Sequence, residues 1–224
     1  MTCRSPRGKL LDDGIIEIVL PMVTKMAKAK EEILARLVRD SDSSVDLPTL
    51  AGDWIQYKDP IAQFRDTAVQ ISAQVHIAEG RASVVQLIQQ LECMDGAEIV
   101  SSCVADVITG SLDLNSVDDP HKLETLDVFI AEGKIGVAEN AAIWVDDENI
   151  GHRVALFLTQ HLVLLIESGK IVNNLAEAYS SGVMDFSRFG CFISGPSKTA
   201  DIEQALVIGA HGARTLDIIV IHEE

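Results

Sequence analysis

Five consecutive apolar residues, Leu162-Val163-Leu164-Leu165-Ile166, constrain the fold of this chain more than any other stretch. Successive side chains of a strand point to opposite faces, so an unbroken apolar run needs cover on both. That is the condition of a buried parallel strand. A second such run, Leu216 to Ile221, closes the chain, and shorter ones read as strands at Val75 to Ala78, Ala97 to Ser101, Leu126 to Ile130 and Cys191 to Ser194. Lys134 to Val145 is apolar except at Glu139-Asn140, which predicts two strands joined by a sharp turn. Helical patterns separate these runs. Asp59-Pro60 is a helix start, with Asp as the cap and Pro at the first helical position. Ala82 to Leu91, Ile171 to Tyr179 and Thr199 to Ile208 read as helices, and Ile150 to Thr159 leans to a short one. Alternation of this kind predicts a three-layer α/β/α sandwich on a mostly parallel sheet. Ahead of it, Ile15 to Arg39 has helical periodicity with a break at Pro21. The polar stretch Asp40 to Ser44 then marks a boundary: N-terminal arm and helices over 1–50, an α/β domain over 51–224.

The formal net charge is −16. This argues against nucleic acid or an anionic membrane as a partner, since both need clustered Lys and Arg. No run approaches the length of a membrane span and no secretory signal is evident, so a cytoplasmic protein is expected. The four cysteines, Cys3, Cys93, Cys103 and Cys191, have neither C-x-x-C nor metal-ligand spacing. The chain therefore carries no recognisable iron–sulfur or zinc motif of its own.

Polar and glycine residues gather at two turns. Ser194-Gly195-Pro196-Ser197-Lys198-Thr199 reads as the junction of a strand and a helix, the place where open α/β sheets put ligands. Free backbone amides, hydroxyls and Lys198 suit a small anion or a cofactor phosphate. The same residues also suit a plain helix cap. The second turn, Gly209 to Arg214, holds His211 between Gly209 and Gly212, with Arg214 close behind. His211 is a candidate acid or base near neutral pH, and the glycines alternatively serve unusual backbone angles. A helix between the two turns can put them at opposite ends of the sheet. Glu139-Asn140, a polar pair in an apolar run, asks for a reason, and Glu139 is a candidate nucleophile or base. Arg153 is a candidate partner for Glu139 or for a substrate carboxylate. His152 and His161 read as structural, and Asp146 to Glu148 as a solvated turn, so no metal site is expected.

Taken together, Ser194 to Glu203, then Gly209, His211 and Gly212, resemble the closing signature of the LUD-domain proteins, the lactate utilization protein C group. Gly136 to Trp144, Arg153 and Gln160 to Val163 are similar to the central block of that family. The resemblance implies a fold related to the sugar-phosphate isomerase and CoA-transferase superfamily. It also implies a part in oxidising L-lactate to pyruvate, with companion proteins bringing the iron–sulfur clusters, so that this chain is a non-autonomous component. Where many members have A-[DE]-[TS]-G-T, this chain has Ala138-Glu139-Asn140-Ala141-Ala142, which keeps the acid and loses Thr and Gly. The expected ligand residues are Asn140, Arg153, Ser194, Gly195, Ser197, Lys198, Thr199, Gly209, Gly212 and Arg214, with Glu139 and His211 as catalytic candidates. Two other readings stay open: a stand-alone enzyme on a CoA-linked or phosphorylated substrate using Glu139, and a regulatory or scaffolding module.

Overall fold

The computed structural model describes residues 28–36, 49–104, 107–108, 110–202, 205–209 and 211–222. The chain divides at Leu50. Before it, 28–36 form a helix, α1, with every residue exposed. Most of the region from Ile15 to Arg39, Pro21 included, lies outside the described residues.

From Leu50 onward two sheets are built. The main one has five strands in the order β1 (Gln74–Glu79), β11 (Thr215–His222), β6 (His161–Glu167), β3 (Val128–Glu132) and β2 (Val100–Ser102). Every neighbouring pair in it is parallel. The second sheet runs β7 (Ile171–Val172), β4 (Ile135–Val137), β5 (Ala142–Asp146) and β8 (Gly190–Ile193). Its β4–β5 and β5–β8 pairs are antiparallel. A separate hairpin pairs β9 (Lys198–Ile202) with β10 (Ala205–Ile208).

The apolar run in β6 explains the layering. Leu162, Leu164 and Ile166 point to one face, where they join Phe129, Leu216, Ile218 and Val220. Phe64 and Ala68 of helix α2 (Pro60–Gln70), Leu156 of α4 (Ala155–Leu158) and Ile143 of β5 cover that face. Val163 and Leu165 point the other way with Ile130 and Ile219, under Val84 and Ile88 of α3 (Val84–Gln89). The central strands are thus apolar on both faces because both are covered. On the far side of the second sheet, Ile135, Val137 and Trp144 pack on Ala178 of α5 (Leu175–Ser180).

The α/β class and the mostly parallel main sheet agree with the sequence. So do the capped start of α2, where the Asp59 carboxylate accepts the amide of Ala62, and the strand–turn–strand over β4 and β5. Three local expectations are corrected. Ile171 to Tyr179 is not one helix: β7 pairs with β4 before α5 begins. Asp146 is not a solvated turn residue but the buried end of β5, accepting the amide of Glu148. Thr199 to Ile208 is not a helix but lies within the β9–β10 hairpin.

Candidate functional site

The hairpin correction decides where the two turns lie. A helix would have carried the chain away, whereas a hairpin returns it to its starting point. Ser194–Ser197 leads into β9, and the turn from Gly209 leads out of β10. At the base of the hairpin the amide of Gly209 donates to the Ser197 carbonyl at 2.9 Å, and the amide of Ser197 donates to the Ala213 carbonyl at 2.9 Å. The contact is tight: a Cβ on Gly212 would lie 2.9 Å from the Cβ of Ser197. The two turns are the two feet of one hairpin.

Between these feet, the end of β8 and α4 there is a cleft of about 270 Å³. Ser194, Gly195, Ser197, His211 and Gly212 supply its polar rim. Its apolar lining is Leu156 and Phe157 of α4, Ile193 of β8, and Leu162 and Leu216. The last two sit at the N-terminal ends of β6 and β11, so the cleft opens at the edge of the parallel sheet opposite to the usual ligand edge. His211 and Phe157 are exposed, Ser197 half-buried.

Each expected site residue has a definite place. Ser194 donates its hydroxyl to the carbonyl of Asn140 at 2.7 Å, which ties β8 to the β4–β5 turn. Gly195 has a φ of +76°, and a Cβ there would lie 2.7 Å from the Ile71 carbonyl. Only glycine meets both conditions without strain. The ammonium of Lys198 donates to that same carbonyl, at the C-terminus of α2, where a cation also suits the helix dipole. Gly209 likewise has a φ of +76°, and the Arg214 side chain lies across it. Arg214 does not line the cleft; it borders grooves shared with Glu98, Asp127 and His161. The side chain of Thr199 lies outside the described residues.

The structure does not bring Glu139 to this cleft. One oxygen of its carboxylate accepts the amide of Leu175 at 3.0 Å, the first residue of α5, and its own amide donates to the Asn173 carbonyl. Asn140 accepts the Ala142 amide through its side chain. Ala141 completes the turn at a φ of +52°, where glycine would be unstrained. Alanine there carries a cost of about 1–2 kcal/mol. Arg153 does not meet Glu139 among the described residues; its guanidinium lies over the Phe189 ring at 5.0 Å. His152 and His161 bond to the Val117 carbonyl and the Thr215 hydroxyl. Burial raises the thiols of Cys103 and Cys191, and burial followed by the Asp217 carboxylate pushes Cys93 up to about 12.

Sequence reasoning missed the walls. Phe157 is one of only six phenylalanines in the chain, which was the available signal. The Phe192 ring lies on the other face of the second sheet, against Trp144, ring centres 5.1 Å apart and edge-on, and against Tyr179 at 6.1 Å.

Residues 104–221, more than half of the chain, match the LUD domain family. The chain belongs to that family. It is similar to the lactate utilization protein C of Oceanobacillus iheyensis, 27% identical over 105 residues, covering 44% of this chain and 45% of that protein. The protein of the same name from Shouchella clausii is 30% identical over 107 residues, covering 45% and 46%. The match thus spans about half the length of these curated relatives. In fold, the chain resembles the crystal structure of a DUF162 family protein from Deinococcus radiodurans, with a TM-score of 0.57 and 15% identity over 75% of this chain and 99% of that one. Among the described residues no helix is long and apolar enough to cross a membrane.

Proposed function

We propose that this chain is a component of a lactate-utilization system. In this reading it serves the oxidation of L-lactate to pyruvate beside iron–sulfur partner proteins, and it holds a ligand in the cleft between the hairpin feet. The observation that carries the reading is the coincidence of signature and geometry. The two segments that resemble the family's closing signature are the two that meet at Ser197 and Gly212 to form the rim. The names of the related proteins supply the metabolic context.

The chemistry available at the rim is recognition by neutral donors. The amides of Gly195 and Gly212 face no acceptor among the described residues, and the Ser197 hydroxyl and His211 imidazole stand beside them. An acceptor group of the ligand, a carboxylate or phosphate oxygen, sits at this rim, close to water, where its charge is not stripped of solvent. His211 is the group placed to move a proton there. Glu139 accepts the first amide of α5, beside the Asn174 cap. The cysteines have no cluster spacing, so the clusters belong to the partners.

The test is genetic and biochemical. Deleting the gene in the native host abolishes growth on L-lactate and lactate-dependent dye reduction, and tagged protein copurifies with iron–sulfur proteins. Unchanged growth and dye reduction in the deletion strain would overturn the reading.

A further inference from the structure

We infer that the free edge of β1 is the surface on which two copies of this chain pair, antiparallel across a twofold axis. This goes beyond the proposed function and rests on none of it. The first observation is the edge itself. On one side the main sheet ends at β2, three residues long, whose outer groups are already taken. The Val100 carbonyl accepts the Leu112 amide, and the Val100 amide donates to the Ser111 hydroxyl oxygen. On the other side the sheet ends at β1, six residues long and paired in unbroken register with β11 alone. Beyond that pairing, its backbone meets only the Ser83 hydroxyl, at the Glu79 carbonyl, among the described residues. Unpaired amides and carbonyls on an edge are a template for another strand, and proteins blunt such edges with lysine, proline or a bulge. Gln74-Val75-His76-Ile77-Ala78-Glu79 has none of the three.

The second observation is the chemistry beside the edge, which selects the partner. A groove of about 300 Å³ runs between β1, at Ile77 and Glu79, and the α3 side, at Ser83, Gln86, Leu87 and Gln90. From Gln74 to Gln90 the chain has one acid, Glu79, and one base, Arg81; they cancel, so the −16 lies on the rest of the chain. A twofold interface sets a surface against itself and needs self-complementary groups. A bare strand edge offers both amides and carbonyls, a glutamine amide both donates and accepts, and isoleucine matches isoleucine. A strongly acidic or basic partner finds no matching field here, while a second copy meets its own repulsion on the charged remainder and not on this face. The third observation is register. Ala78 faces α3, in the core with Val84 and Ile88, so Gln74 and His76 share that side and Val75, Ile77 and Glu79 share the other. A twofold axis perpendicular to the sheet keeps each face on its own side. Centred on Ile77, it sets Ile77 against Ile77, His76 against Ala78 and Val75 against Glu79, with no like charges opposed. Centred on His76, it would oppose two imidazoles. The two α3 helices lie on the same side of the joined sheet.

Analytical ultracentrifugation of the purified full chain tests this. The expected result at micromolar concentration is a dimer, twice the chain mass of 24.3 kDa. Ile77→Lys sets two ammonium groups together at the axis and raises the dissociation constant at least about 100-fold. Ile77 is 38% exposed, so the fold of the single chain is kept, which an unchanged far-UV circular dichroism spectrum checks. In a Cys3→Ser background, Ile77→Cys forms an intermolecular disulfide under mild oxidation, because the axis brings its two thiols together. Val183→Cys, also at an exposed position, does not. The cross-link decides the matter should the lysine variant fail to fold. The inference is overturned if the parent sediments as a monomer, if Ile77→Lys stays a dimer with a native spectrum, or if the Ile77→Cys chains do not cross-link.

Discussion

Gly195→Ala is the substitution that most sharply probes how the first hairpin foot is seated. Two penalties act there. Alanine at a φ of +76° costs about 1–2 kcal/mol in the left-handed region. Its Cβ would lie 2.7 Å from the Ile71 carbonyl, a backbone atom that cannot step aside, and forced overpacking costs about 1–3 kcal/mol. Against these, alanine restricts the unfolded chain, a gain of about 0.4–1 kcal/mol. The sum is a loss of about 2–3 kcal/mol. Gly182→Ala is the internal control, because Gly182 has a φ of +71° and nothing within 4 Å of a Cβ. It keeps the backbone penalty without the clash, for a loss of about 0.5–1 kcal/mol. At about 2–4 °C per kcal/mol for a domain of this size, Gly195→Ala lowers Tm by about 5–10 °C and Gly182→Ala by about 1–4 °C. Thermal melts followed by far-UV circular dichroism measure both. Equal shifts would show that the turn does not press on the end of α2, and the account of the foot would fail.

Further outcomes follow from the buried polar groups. Asp217 is 4% exposed and meets His76 at 2.9 Å; His76→Ala removes that partner, leaves the carboxylate with the Cys93 thiol and costs about 1–3 kcal/mol in urea unfolding, and an unchanged midpoint would refute the pairing. In a Cys3→Ser background, Cys93, Cys103 and Cys191 have raised thiol pKa values, so at about pH 8 they react slowly with a disulfide reagent in the folded protein and rapidly once unfolded; fast labelling of the native protein would contradict this. Partial burial works to raise the Glu177 carboxyl, but hydrogen bonds from Gln56 and Asn173 outweigh it and hold the group below the usual carboxylate range. A lowered carboxylate pKa stabilises the fold above its unfolded value and ceases to as pH falls through the folded one. Stability therefore declines below about pH 4.5, and Glu177→Gln flattens the decline; an unchanged acid limb would exclude the contribution.

The strands that form the core were legible because their sequences satisfy two faces at once, as Leu162 to Ile166 does. Asp59-Pro60 was legible because its signal is local. The assignment of strands to sheets was not, since an apolar run such as Ile135 to Val137 carries no mark of its partner. The hairpin was misread for a related reason. Ser197, Thr199 and Asp201 suit a helix start, and nothing local announces the pairing of Val207 with Thr199. The β-branched Thr199, Ile202, Val207 and Ile208, in two short runs with two residues between the strands, were the available cue. Glu139 stood out in the sequence as a polar group in need of a partner. One partner it finds, the first amide of α5, lies 36 residues further along the chain.

The most direct measurement of the central claim is complementation of a deletion strain on L-lactate with the Phe157→Ala, His211→Ala double variant, checked for normal expression and Tm. The account predicts that the wild-type gene restores growth and dye reduction and the cleft variant does not. Full restoration by the variant would contradict a working role for the cleft.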